Sequence, residues 1–280
     1  MNRLAPEQLA AGVQDLPSLP AVVMELLSSV EQEDIDVSVL AKKVSYDQAL
    51  TAKTLRLANS SSSGLQVKVT TIQQAITFLG FQTTRNLITA AAITGCFPSG
   101  RCLGFKDKAF WRHSIATAVC ARALARRMRF SPDIAFTAGL LHDIGRLVLV
   151  TCHPDAYGQV VAWQAQHSCD WLAAERAVLG IDHVDAGVAL ADHWNFSDTM
   201  RQAIAYHHAP DILGAGFLAT IVHVANAIVH ALDLAGDDDE VVPRVSSVAW
   251  DAMGLNEEAY LHLFRETELQ FSDMSTILMA

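Results

Sequence analysis

The chain carries 11 histidines in 280 residues, and their grouping, more than their number, points to chemistry. His142 and Asp143 are adjacent inside the apolar run AGLLHDIGRLVLV. A carboxylate in such a run is costly to bury without a cation; Arg146, three residues on, or a metal ion supplies one. His207 and His208 form a second adjacent pair, and His113 and His183 stand early in two further helical stretches. Neutral imidazoles with one carboxylate make a nitrogen–oxygen ligand set. It suits a divalent transition metal such as Fe, Mn, Zn, Co or Ni, with no thiolate to favour softer ions. A lone histidine in an apolar helix is ordinarily a hydrogen-bonded core residue, and no stretch forms a local HExxH site. Here the ligands come from four segments, as they do when facing helices of a bundle project side chains inward. Neighbouring side chains on a helix diverge by about 100°. Each doublet can therefore straddle two ions, or serve one while its neighbour packs elsewhere, and mononuclear and binuclear centres both stay open.

Such a site needs several helices to position it, and the apolar spacing supplies them. Asp36 and Asp47 are placed to N-cap two short helices, the first carrying Val37, Leu40 and Val44, the second Leu50, Leu55 and Leu57. The turn sequence NSSSSG, from Asn59 through Ser60 to Gly64, ends the second. Thr70 and Gln73 have capping-box spacing ahead of a helix that Gly80 stops, and an almost wholly apolar helix follows over about 83–94. Residues 96–108 read as a linker. Beyond it a long helix is expected over about 108–128, then one opened by Ser131 and Pro132 and continuous through His142 to Gly145. Further helices are expected at about 154–167, 170–178, 183–194, 198–208 and 215–235. An acidic break, GDDDE, precedes one or two tail helices around 248–253 and 257–269. The expectation is an all-α chain of two helical subdomains, residues 1–100 and 106–235, with a helical tail over 236–280.

Composition narrows the function classes. With 51% hydrophobic, 7% aromatic and 18% charged residues, the chain is apolar enough to fold and too poor in aromatics for a β-sandwich. The 20 basic and 30 acidic residues give a formal charge of −10, which argues against general nucleic-acid binding. The N-terminus lacks the apolar core of a signal peptide. The most apolar stretch, Phe217 to Ala235, carries His223, Asn226, His230 and Asp233, too many polar groups for a membrane span. Five cysteines with no CxxC pair argue against a disulfide framework or a thiolate zinc site. The expected setting is cytoplasmic.

LLHDIGRLVL resembles the central signature of the HD phosphohydrolase superfamily. LPSLPAVVMELL at 16–27 and the LRLANS…TIQQAI…LG…RN pattern within 46–86 narrow the resemblance to the HDOD domain, an HD-related output domain of bacterial signalling proteins. It spans roughly residues 14–235 and implies that the second subdomain is an HD-like helical bundle. It also implies metal-ligand positions at His113, His142 and Asp143, with Asp143 where active relatives bridge two metals. The related HD-GYP phosphodiesterases add a later histidine, matched by His183, and a His-His pair, matched by His207 and His208. Their lysine after the doublet corresponds to Arg146, which keeps the charge in fork geometry. The superfamily's closing aspartate falls at Asn226, a neutral and weaker ligand. A glutamate four residues before the first histidine in some HD-GYP members is Ala109 here, and the GYP segment is replaced by HHAPDIL.

The resemblance thus implies a signalling output or regulatory module with a degenerate, non-catalytic HD site, acting through a signalling partner or a nucleotide-type ligand. The alternative is a metal-dependent phosphohydrolase acting on a nucleotide or cyclic dinucleotide. There Asp143 would help hold the metals that activate water, and Arg146 would stabilise the phosphate oxygens. Eight of the 20 basic residues fall in 101–129, and Arg122, Arg126 and Arg129 share a helix face there. A solvated face is the simpler reading of that cluster, and a docking patch the other. Arg85 and Asn86 read as structural, and Trp163 and Trp171 as packing residues.

Overall fold

The computed structural model describes residues 3–19, 21–28, 37–59, 68–97, 100–237 and 241–278. Asp36 and the turn residues 60–64, Ser60 included, lie outside them. The fold is all-α, with no strand among the described residues. In chain order the helices are α1 (Pro6–Gln14), α2 (Ala21–Ser28), α3 (Val37–Ser45), α4 (Gln48–Ala58), α5 (Ile72–Leu79), α6 (Phe81–Cys96), α7 (Asp107–Arg127) and α8 (Pro132–Leu141). They continue as α9 (Ile144–Cys152), α10 (Pro154–His167), α11 (Trp171–Leu179), α12 (His183–His193), α13 (Asp198–Tyr206), α14 (Gly216–Ala231), α15 (Ser247–Ala252) and α16 (Glu257–Leu278). They form two compact units. One is Met1–Leu16 with Phe97–Glu268; the other is Pro17–Cys96 with Leu269–Ala280.

The smaller unit is centred on α6, buried continuously from Thr84 to Ile93, against which α2, α4 and α5 pack. Asp47 caps α4 through the Leu50 amide at 2.9 Å. Asn59 closes the end of α4: its amide nitrogen donates to the carbonyls of Leu55 and Val69, and its oxygen accepts from the Val69 amide at 2.7 Å. The expected capping box is displaced by one residue. Thr71, not Thr70, is the N-cap and accepts from the Gln74 amide, while the Gln74 side chain reaches back to the Thr70 amide. Consecutive threonines and consecutive glutamines allow either register, and burial of Ile72 and Ala75 selects this one. Gly80, at φ +82°, stops α5, and α6 follows at once.

In the larger unit α7 packs along α8 and α14, α9 lies on α12, and α10 pairs with α11. Close approach depends on small residues. A Cβ on Gly139 would lie 2.7 Å from the Ala118 Cα, so α8 rests directly on the alanine-rich face of α7. The first residues of the chain belong here: the Leu4 amide donates to the Leu179 carbonyl at 2.8 Å, and α1 packs on α12 and α9. The expected continuous helix through the doublet is broken. α8 ends at Leu141, and α9 starts at Ile144 with Asp143 as its N-cap residue (φ −99°, ψ 14°). Pro132–Cys152 is long and apolar enough in composition to cross a membrane, but it is mostly buried and interrupted at His142–Asp143.

Candidate metal centre

The break between α8 and α9 is what creates the site. An N-cap aspartate ordinarily spends its carboxylate on the first free amides of its helix. Asp143 makes no such side-chain bond. Its backbone carbonyl closes the turn by accepting from the Arg146 amide at 2.9 Å, and its carboxylate turns toward the imidazoles. Tight packing fixes this turn: a Cβ on Gly145 would sit 1.9 Å from the His183 carbonyl oxygen, so only glycine lets α9 approach α12 there.

The imidazoles converge on that carboxylate. Asp143 Oδ1 lies 3.5 Å from His142 Nε2, 3.4 Å from His183 Nε2 and 3.3 Å from His207 Nε2. His113 Nε2 lies 3.2 Å from His142 Nε2, and His208 Nε2 lies 2.9 Å from His183 Nε2. Three rings have their far nitrogen committed. Nδ1–H of His142 donates to the Gly139 carbonyl at 2.8 Å, that of His207 to Ile204 at 2.8 Å, and that of His183 to the Glu175 carboxylate at 2.6 Å. In a neutral ring these bonds select the tautomer that points an Nε2 lone pair inward; His183, raised to about 9, does so once it gives up its Nε2 proton. Two donor groups share Asp143: His113 and His142 with it on one side, His183, His207 and His208 on the other. All but His208, at the rim, are buried.

Burial and mutual repulsion set the charges. Burial holds His142 down at about 4 and depresses His113 well below the usual range, with neighbouring imidazoles adding to it. Burial works against ionisation of Asp143, but the surrounding imidazoles outweigh it and keep the carboxyl well below its usual range. Burial also opposes a charge on His183, yet Glu175 and Asp143 prevail and raise it to about 9.

Asp143 Oδ1 and His207 Nε2 are buried and have no hydrogen-bond partner. A buried donor or acceptor left unmade is costly. An anionic oxygen facing a set of inward lone pairs fits a cation, and the all-nitrogen-and-oxygen donor set fits a divalent transition metal.

A cavity of about 400 Å³ opens beside these groups, bordered by Asp143, Arg146, Trp171, His183, Asn226 and Arg244 among others. Asn226 on α14 is buried with an unpartnered Oδ1 and lies in this wall. Arg146 sits with Nη1 3.8 Å from Asp143 Oδ2 and its guanidinium 4.4 Å from the centre of the Trp171 ring. Trp171 thus packs on Arg146 and forms part of the cavity wall. Trp163 stacks on His167 at 3.9 Å, away from the site.

Three residues that the sequence pattern did not single out complete the site. Glu175, fully buried on α11, holds His183 by both its ring and its backbone amide. Tyr157 on α10 donates to Glu175 Oε1 at 2.8 Å. His223 on α14 donates from Nδ1 to the His207 carbonyl at 2.7 Å and accepts the Ser246 amide at Nε2, which fixes the His207–His208 turn. A polar residue inside the apolar run of α14 was the available signal for His223. Glu175 carries none, because AAERAVLG reads as an ordinary amphipathic helix.

At least four of the eight basic residues over 101–129 have internal partners. Arg112 donates to the carbonyls of Leu234 and Ala235, Lys106 pairs with Asp237, and Arg126 and Arg127 pair with Glu266.

The chain matches the HDOD domain over residues 16–210. It is 26% identical over 205 residues to an uncharacterized protein of Treponema pallidum (strain Nichols), which covers 71% of this chain but only 39% of that relative. The chain therefore spans well under half of that curated relative's length. Among solved structures it resembles a candidate phosphohydrolase from Shewanella amazonensis SB2B, with 30% identity, TM-score 0.73 and 98% of each chain covered. It also resembles the MmoQ response regulator of Methylococcus capsulatus str. Bath, with 26% identity, TM-score 0.50 and coverage of 90% of this chain and 99% of that one. With a family match across most of its length, and a helical core that carries the HD-like doublet, this chain belongs to the HDOD domain family.

Proposed function

We propose that the chain is a regulatory module of a bacterial, cytoplasmic signalling system. Its HD-like site holds a divalent transition metal, and its output is an interaction with a signalling partner rather than turnover. The observation that carries this reading is the buried Asp143 carboxylate, unpartnered at Oδ1 and ringed by inward-facing Nε2 atoms. His113, His142 and Asp143 would hold one ion. Asp143, His183, His207 and His208 would hold another, or the sole one. When bound, the metal supplies Lewis-acid polarisation of a phosphoryl oxygen. The chain's own residues do the rest. Arg146 meets an anionic group entering the cavity, Trp171 keeps that guanidinium in place from below, and Asn226 offers an acceptor in the wall. A cavity of about 400 Å³ suits a small nucleotide-type ligand. Relatives point the same way, since the MmoQ neighbour is named a response regulator.

A regulatory role follows from charge. Asp143 is the one carboxylate in the two donor groups, and Asn226 adds an amide where a second acid would steady two dications. A phosphohydrolase is the second reading. It is favoured by Arg146 beside Asp143 in the cavity wall and by the Shewanella neighbour.

Elemental analysis of purified protein tests the metal: near-stoichiometric Fe, Mn, Zn, Co or Ni is expected, and none after reconstitution overturns the site. A screen with cyclic dinucleotides and aryl phosphates separates the two readings. Turnover that disappears in His142→Ala would establish the phosphohydrolase, and no His142-dependent turnover is expected for the regulatory module.

A further inference from the structure

A continuous buried chain of hydrogen bonds runs from the cavity to the far side of one candidate ligand. Arg146 Nε donates to the Tyr157 hydroxyl oxygen at 3.2 Å. The Tyr157 hydroxyl donates to Glu175 Oε1 at 2.8 Å. Glu175 Oε2 accepts both the His183 backbone amide at 2.8 Å and the His183 Nδ1–H at 2.6 Å. Beyond the ring, His183 Nε2 lies 3.4 Å from Asp143 Oδ1. Arg146, Tyr157, Glu175 and His183 come from four consecutive helical segments, α9, α10, α11 and the start of α12, and all four are buried.

A fully buried carboxylate needs cations or several donors to be tolerated. Glu175 has three donors across its two oxygens, and the donors converge on it from both ends of the chain. Guanidinium donates to hydroxyl, hydroxyl to carboxylate, and imidazole to carboxylate from the other end. The paired bonds to the His183 amide and ring fix both where α12 starts and how the ring is turned. A carboxylate on Nδ1–H makes the opposite nitrogen a better ligand and fixes its direction. Simple neutralisation of Glu175 would need neither the aim at Nδ1 nor the tyrosine between the two charges.

We propose that Glu175 and Tyr157 are positioning residues for metal binding. Glu175 orients His183 and strengthens Nε2 as a ligand, and Tyr157 holds the free oxygen of Glu175 and ties it to Arg146 in the cavity wall. The inference rests on the metal reading of the site. Its consequence is that a change at Arg146 is transmitted through two buried side chains to the donor strength of His183.

Titration of the full chain with Co(II), followed by visible absorption and calorimetry, tests this. Wild type is expected to bind Co(II). Glu175→Gln, which keeps the volume and the acceptor but removes the charge, is expected to bind about 10- to 100-fold more weakly and to shift the cobalt absorption. Tyr157→Phe, which removes one oxygen and leaves the ring packed, is expected to weaken binding about 2- to 10-fold with a smaller shift in the same direction. Thermal melting of the metal-free proteins checks that each variant folds, and Tyr157→Phe decides the matter should Glu175→Gln not fold. If wild type binds Co(II) and the folded variants match its affinity and spectrum, this proposal is overturned while the metal site stands. If wild type binds no Co(II), Mn(II) or Zn(II), the metal reading fails, and this proposal fails with it.

Discussion

Asp143 stands at the head of α9 and gives that helix nothing but a backbone carbonyl. Its carboxylate is the one anion common to both donor groups, so Asp143→Asn, nearly identical in shape, is expected to lose stoichiometric metal while remaining folded; elemental analysis beside circular dichroism checks it. The neighbouring histidines differ in what metal uptake demands of them. His142, held at about 4 by burial, is already neutral at pH 7 and yields no proton. His183, raised to about 9 once Glu175 and Asp143 outweigh burial, is protonated at pH 7 and must give up one proton to bind through Nε2. Metal affinity should therefore climb by about tenfold per pH unit through neutrality and level off near pH 9. Calorimetry in two buffers of different ionisation enthalpy should count about one proton released at pH 7. Eight candidate site residues were named from the sequence: the His142–Asp143 and His207–His208 doublets, His113, His183 and Arg146 from their grouping, and Asn226 from the family resemblance. Glu175 and Tyr157 were not, because a buried acid or phenol is recognisable only by its partners, and those lie in other helices.

At the scale of elements, glycines set the distances on which the site depends. Gly145→Ala would drive a Cβ into the His183 backbone, which cannot yield without moving the ligand. A loss of roughly 3 kcal/mol or more is expected in urea unfolding, together with weaker metal binding. Gly187→Ala meets the Ile204 Cγ2 methyl at 2.8 Å, with the Gly145 backbone nitrogen at 3.5 Å, so a buried side chain must give, and it should cost about 1–3 kcal/mol. Most helices were readable, α9 beyond Gly145 excepted, because apolar spacing and caps such as Ser131 and Asp47 act locally. Two details were not. The TT and QQ pairs permit two capping registers, and only packing of Ile72 and Ala75 chooses between them. The apolar run through His142 and Asp143 has the period of one helix, and no local signal marks the break. It is imposed from outside, by α12 pressing against Gly145.

For the molecule as a whole, the donor groups draw on α7, the α8–α9 turn, α12 and the turn after α13, so a bound ion fastens most of the larger unit. Metal at about 100 times its dissociation constant should stabilise that unit by about 2.7 kcal/mol, and a chelator should remove the gain. Calorimetric melting with and without the chelator reads this directly. Charge also looks different at this scale. The formal −10 was plain from composition, but four of the eight basic residues over 101–129 pair with Glu266, Asp237 and the carbonyls after α14, more than 120 positions away. The larger unit is likewise discontinuous in sequence, with Met1–Leu16 grouped with Phe97–Glu268.

That discontinuity has a consequence in time. The Leu4 amide pairs with the carbonyl of Leu179, and Leu9 and Val13 of α1 are buried in the finished unit. During synthesis at about 5–20 residues per second, α1 would be exposed for roughly 10–35 seconds before Leu179 is made. Its partner α9 is made within that interval, but α12, its other partner, follows Leu179. The unit that carries the site closes around the first segment of the chain only after the smaller unit's main segment, Pro17–Cys96, has already been synthesised.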